Sequence, residues 1–147
     1  MMTIETYSPE ETYAFGQRIG RAVRPGEVLT LIGDLGTGKT VLTQGCASGL
    51  GINEAVNSPT FTILQIYESG RLPLYHFDVY RIEDIDEMEE IGYDDYFFGE
   101  GVCLIEWADQ IRELLPGQYT RILIEKDLAK GFDYRRITVE GPLEEIL

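Results

Sequence analysis

A chain of 147 residues, 44% hydrophobic and carrying nine Tyr, six Phe and one Trp, has the length of one domain and a composition that argues against disorder. Twelve basic against 26 acidic side chains give a net charge of −14, which argues against autonomous, sequence-blind nucleic-acid binding and against anionic membrane surfaces. No apolar run approaches the ~18 residues of a membrane span, and Met1-Met2-Thr3-Ile4-Glu5 lacks the regions of a signal peptide, so a soluble cytoplasmic protein is expected.

In chain order, Thr3–Tyr7 alternates in character as an edge strand does. Ser8-Pro9-Glu10-Glu11 predicts a helix start, with Ser8 as N-cap, Pro9 in the first turn and Glu11 completing a capping box. This helix is expected to reach about Val23, where Arg24-Pro25-Gly26 stops it. Glu27–Ile32 is mostly apolar, as a strand buried on both faces should be. A glycine-rich turn follows, then a helix over Lys39–Leu50 with Leu42, Cys46 and Leu50 on one face and Gly51 as its stop. Further strands are predicted at Phe61–Tyr67, Leu74–Asp78, Val102–Glu106, Arg121–Lys126 and Arg136–Glu140. Between them, Ile85, Met88 and Ile91 mark a short amphipathic helix, and Ala108–Leu115 a second one ended by Pro116-Gly117. Cys46 and Cys103 stand apart with no CxxC, reading as two reduced, buried thiols. The sum is a single α/β domain over residues 1–147, a mostly parallel sheet of about six or seven strands flanked by helices. Strand order is not legible at this level.

Gly33-Asp34-Leu35-Gly36-Thr37-Gly38-Lys39-Thr40 matches G-x-x-x-x-G-K-[ST] at every fixed position. The glycines let the backbone bring its N–H groups against phosphate oxygens. Lys39 places a cation on the β- and γ-phosphates, the Thr40 hydroxyl is a Mg²⁺ ligand, and the following helix aims its N-terminus at the same anion. Chance produces such a match on the order of once in a hundred chains of this length and glycine content. The apolar strand before the loop and the helix after it lower that further. The fold expected is therefore P-loop NTPase-like, with Asp34 to Thr40 (Leu35, Gly36, Thr37, Gly38 and Lys39 included) holding ATP.

A phosphate loop does not by itself define a task. The guanine-reading Asn-Lys-x-Asp and the Asp-x-x-Gly switch of GTPases are absent, as is the Ser-Gly-Gly-Gln of ABC-type ATPases. A small-metabolite kinase remains as a second reading, with Arg81 and Arg112 as candidate acceptor-pocket residues. A nucleotide-gated interaction protein with negligible turnover is a third.

Asp78 and Glu106 each end an apolar strand, where a second Mg²⁺ contact and a water-orienting group are found beside a phosphate loop. Glu106 is read as the metal ligand and Asp78 as a site residue, against the plainer reading that either caps a turn. Val56–Thr62, containing Ser58-Pro59-Thr60, is an ordinary turn or a switch that senses the γ-phosphate. His76, the only histidine, reads as a satisfied core residue. Trp107 is either packing or a partner contact. Glu83–Asp95 holds eight acids and ends beside Tyr93, Tyr96, Phe97 and Phe98; it is a solvated helix face or a docking surface for a basic protein.

Together, Gly-Asp-Leu-Gly-Thr-Gly-Lys-Thr, Ser-Pro-Thr-Phe-Thr, Tyr-His-Phe-Asp-Val-Tyr-Arg at 75–81 and Leu-Ile-Glu-Trp at 104–107 resemble the TsaE family, the bacterial ATPases of tRNA threonylcarbamoyladenosine biosynthesis. The resemblance covers nearly the whole chain. It implies an ATP-hydrolysing subunit, slow in isolation, needed to form N6-threonylcarbamoyladenosine at position 37 of tRNAs that read codons beginning with adenine. It implies a TsaD–TsaB heterodimer as partner, with tRNA met only through that complex. By position, Thr40 and Glu106 would hold Mg²⁺, Lys39 and Asp78 would support hydrolysis, and Ser58, Pro59 and Thr60 would form the switch, with Thr60 catalytic. Trp107 would lie beside the site. The family carries a basic residue near the adenine after a glycine matching Gly131, whereas Phe132 and Asp133 follow here; Phe132 is the residue expected on the base.

Overall fold

A computed structural model describes residues 1–34, 36–57 and 62–147. The chain runs β1 (Met2–Thr6), α1 (Pro9–Ala22), β2 (Val28–Ile32), α2 (Lys39–Gly49), β3 (Leu64–Tyr67), β4 (Leu74–Asp78), α3 (Asp86–Glu90), α4 (Tyr93–Phe97), β5 (Val102–Glu106), β6 (Thr120–Lys126) and β7 (Arg135–Glu140). Short 3-10 segments lie at Ala108–Leu114, Leu128–Lys130 and Pro142–Ile146. No described helix is long and apolar enough to cross a membrane.

The strands form one sheet in the order β1-β7-β6-β2-β5-β4-β3. The four inner strands β6, β2, β5 and β4 are parallel, while β3, β7 and β1 join antiparallel at the flanks. β2 and β5 lie in the parallel centre and are buried on both faces, at four of five positions in β2 and all five in β5. β1, the expected edge strand, is an edge. Because β2, β4 and β5 are parallel, their C-terminal ends share one rim. Register then sets Leu31 beside Glu106 and Asp78 beside Glu106. The phosphate loop leaves β2 at this rim.

One sheet face carries α1 and α2 over Leu29, Leu31, Leu104 and Ile122. Ser8 caps α1 by accepting from the Glu11 amide at 3.1 Å, and Glu11 reaches back one residue further than expected, accepting from the Tyr7 amide at 2.8 Å. The two helices meet through Gly16 and Gly20 of α1 and Gly45 and Gly49 of α2. A Cβ at Gly20 would collide with the Cys46 carbonyl oxygen, and one at Gly45 with that of Tyr13. This backbone-to-backbone approach anchors the helix that begins at the phosphate loop.

The other face is covered by α3, α4 and the segment 108–114 over Val28, Phe77, Cys103 and Ile105. Here the structure departs from the sequence reading. Ala108–Leu114 is 3-10 with a break at Ile111, not an α-helix. The aromatics that close the acidic stretch form a second helix, α4, whose Phe97 packs edge-to-face on Phe77 at 5.2 Å while Tyr96 packs on Tyr75 at 4.8 Å. These rings belong to the core rather than to a docking surface; Phe98 alone among the four is exposed. The acids of α3 and α4 are a solvated face. Cys46 and Cys103 are free and buried. They lie in the cores on opposite faces of the sheet, and burial pushes both thiols up to about 12.

Candidate nucleotide-binding site

After Ile32 the chain turns through Gly36 (φ 78°) and Gly38 (φ 96°), the latter being the left-handed residue that starts α2. A side chain at either position would be strained, which is why the motif needs glycine there. Within the loop, Thr37 donates through Oγ1 to the Asp34 carbonyl at 2.7 Å. From outside, Arg135 grips it: Nε donates to the Thr37 carbonyl at 2.6 Å, and Nη1 donates to the Phe132 and Tyr134 carbonyls at 2.9 and 2.7 Å. One guanidinium thus ties the phosphate loop to the loop before β7. Arg135 thereby holds the Thr37 carbonyl just before α2, the helix whose N-terminus favours an anion. Nothing at the sequence level flagged Arg135, because its role depends on β7 lying two strands from β2.

At the rim, Lys39 and Glu106 meet. Lys39 Nζ lies 3.6 Å from Glu106 Oε1, with both side chains largely buried. The other carboxylate oxygen, Oε2, is 2.8 Å from His76 Nε2. Burial pushes the Glu106 carboxyl up, but the hydrogen bond and electrostatic pull of His76, joined by Lys39, outweigh it and hold the group below the ordinary carboxylate value. Glu106 is therefore a buried anion with one oxygen directed to Lys39.

Trp107 follows in the left-handed region (φ 64°), the one non-glycine residue with positive φ among those described. For a bulky side chain this is a strained conformation. It turns the chain sharply off β5, and the indole lies under Lys39 at 5.0 Å from the ring centroid and against Tyr80 at 4.7 Å. Trp107 is thus both partly exposed and part of the site.

Asp78 stands next to Glu106 in register and is half-buried. Its Oδ1 accepts from the Tyr80 amide at 3.1 Å. A cavity of about 610 Å³ opens beside the loop on the sheet face opposite α1 and α2, lined by Thr30, Asp34, Lys39, Trp107, Tyr119 and Lys126 among others. On the other side of the loop a small hollow is lined by Pro9, Thr12, Gly38, Val41, Asp133 and Arg135.

The donor set fits Mg²⁺. No group of three or more His, Cys, Asp or Glu side chains among the described residues forms a protein-only metal cage. A hydroxyl (Thr40) and a carboxylate kept ionised (Glu106) at a phosphate loop are what a hard, octahedral cation shared with phosphate oxygens requires.

The family model for the threonylcarbamoyl adenosine biosynthesis protein TsaE matches residues 6–137. The chain belongs to the TsaE family. It is 54% identical over 133 residues to the tRNA threonylcarbamoyladenosine biosynthesis protein TsaE of Bacillus subtilis, covering 90% of this chain and 81% of that one. To the protein of the same name from Treponema pallidum it is 43% identical, covering 90% and 95%. The crystal structure of Bacillus subtilis YdiB superposes with a TM-score of 0.82 at 44% identity, covering 99% of this chain and 88% of that one.

Of the TsaE-like site residues expected from sequence, Lys39, Glu106 and Asp78 come together on one rim with Gly36, Thr37, Gly38 and Thr40. Leu35 and the switch residues Ser58, Pro59 and Thr60 lie outside the described residues. Phe132 is exposed and its ring lines neither the cavity nor the hollow; its carbonyl is what engages the phosphate loop, through Arg135. Arg81 and Arg112 are exposed and line no part of the cavity, and Arg112 faces Asp109 at 3.4 Å. Neither therefore serves as an acceptor-pocket residue in this cavity. His76, read from sequence as a plain core residue, is buried as expected but touches the site acid. Its spacing of two from Asp78 was the available signal, since alternate residues of a strand share a face.

Proposed function

We propose that this TsaE-family chain binds ATP with Mg²⁺ and hydrolyses it slowly. In this reading it serves threonylcarbamoyladenosine formation as the nucleotide-driven subunit of a complex with a TsaD–TsaB heterodimer. The observation that carries it is the meeting of Lys39 and Glu106 within 3.6 Å at the rim where a glycine loop starts α2. In this reading the loop amides and Lys39 hold the β- and γ-phosphates, and Arg135 keeps the loop carbonyls turned away from them. Thr40 and Glu106 hold Mg²⁺, which when bound neutralises charge on the phosphate oxygens. Asp78 accepts a hydrogen bond from the attacking water and orients it, and Trp107 shields Lys39 from solvent. Family membership and the rim geometry support this assignment together: the first supplies the pathway, the second the chemistry.

Lys39→Ala tests it. Removing the fixed cation withdraws charge stabilisation from the transferring phosphoryl group, so steady-state phosphate release should fall about tenfold or more, with circular dichroism unchanged. Near-normal release from a folded variant contradicts the assignment. In the host, depletion of the protein should lower threonylcarbamoyladenosine in bulk tRNA, read by mass spectrometry.

The charge of −14 supports tRNA contact only through partner proteins. In a gel shift at near-physiological salt, the isolated protein should leave tRNA unshifted. Micromolar binding that weakens steeply with salt would overturn this, because that slope reports phosphate neutralisation.

A further inference from the structure

β4 alternates its side chains so that His76 and Asp78 share the α1–α2 face with Glu106, and register places Leu104 opposite His76. His76 and Glu106 are thus diagonal neighbours across two strands, a separation long side chains bridge. The imidazole is 1% exposed, its Nε2 lies 2.8 Å from Glu106 Oε2, and its Nδ1 has no hydrogen-bond partner among the described residues. A proton on Nδ1 would be buried without an acceptor, which is unfavourable. A proton on Nε2 meets a carboxylate.

We propose that His76 is a positioning residue for the Mg²⁺ site: through Nε2–H it holds Glu106 Oε2, fixing the carboxylate so that Oε1 alone is presented to the cation. The inference deepens the ATP and Mg²⁺ reading and rests on it. Glu106 ends β5 immediately before the strained Trp107, so its backbone sits at the edge of regular structure. Of the contacts that orient its side chain, Lys39 is the one a phosphate group competes for, whereas His76 is anchored in the sheet interior. Hydrogen-bond partners of metal ligands typically change metal affinity by 10–100-fold when removed.

Two measurements test this. His76 is the only histidine, so long-range ¹H–¹⁵N correlation of the full-length protein reports one imidazole. Nε2 should carry a proton, and its resonance should move in Glu106→Gln. An Nε2 without a proton overturns the proposal, whatever the nucleotide does. The second measurement is the Mg²⁺ midpoint for binding a non-hydrolysable ATP analogue. In His76→Leu the midpoint should rise about tenfold while metal-free analogue affinity stays within twofold. In His76→Gln, whose amide can donate to the same oxygen, most of the wild-type midpoint should return. A folded His76→Leu variant with the wild-type midpoint, or equal loss in both variants, overturns the positioning role. If the wild-type protein itself binds the analogue without regard to Mg²⁺, the Mg²⁺ reading fails, while the imidazole spectrum still reports on the His76–Glu106 bond.

Discussion

Glu106 and Asp78 stand side by side at the ends of β5 and β4, yet the two ends are built differently. The β5 end is buried, and its acid is held by His76 on one oxygen and Lys39 on the other. The β4 end is half-open, and its acid engages one backbone amide, that of Tyr80. Sequence position makes the two look alike; surroundings separate them. A buried carboxylate whose one oxygen is fixed by His76 is suited to hold a metal in a fixed place. One that is half-buried at the strand end is suited to engage a mobile water.

The difference should be largest for Glu106→Ala. Removing one member of a buried pair leaves Lys39 without its counter-ion, a loss of about 3 kcal/mol or more in unfolding free energy. Phosphate release should then demand about tenfold more Mg²⁺, since Thr40 and the phosphates remain as anchors. Urea unfolding and a Mg²⁺ titration of phosphate release read the two effects. Asp78→Asn should behave in the opposite sense. Its stability should change by about 1 kcal/mol or less, since the amide oxygen can still accept from Tyr80. Its rate should fall about tenfold or more with an almost unchanged Mg²⁺ midpoint and intact ATP binding. Should Asp78→Asn shift the midpoint and Glu106→Ala leave it alone, the two ends have been assigned the wrong way round.

The smallest expected effect is in acid. Glu106 has a folded-state value below its ordinary 4.5, so its charge contributes stability that is present above that pH and is lost as pH falls through the lower folded value. Urea midpoints measured from pH 5 downward should therefore fall less steeply in Glu106→Gln than in the wild type. Equal slopes would mean that the carboxylate gains nothing from His76 and Lys39 in the folded state.

Much of this was legible beforehand because it depends on local chemistry. The glycine spacing of the phosphate loop, the Ser8 cap and the apolar runs of β2 and β5 each express a constraint within a few residues of chain. What stayed open depends on neighbours distant in sequence. The acidic stretch ending at Tyr96 and Phe97 left a solvated face and a docking surface both open, and the packing of these rings on Tyr75 and Phe77 decides for the solvated face. Phe132 stands out in sequence by its place after Gly131, whereas the hold of Arg135 on its carbonyl and on that of Thr37 is visible only in the fold.

By itself the sequence determined that a phosphate-binding loop joins a buried strand to a helix, that two acids end apolar strands, and that the chain resembles TsaE. Those are properties of periodicity and of residue type at fixed spacing. The tertiary structure alone decided which acid is buried, that His76 and Lys39 share one carboxylate, and that Arg135 clamps the loop. Each of these pairs residues 30 to 98 positions apart. Strand order and register bring them together, and both are set by the packing of the whole sheet rather than by any segment of it.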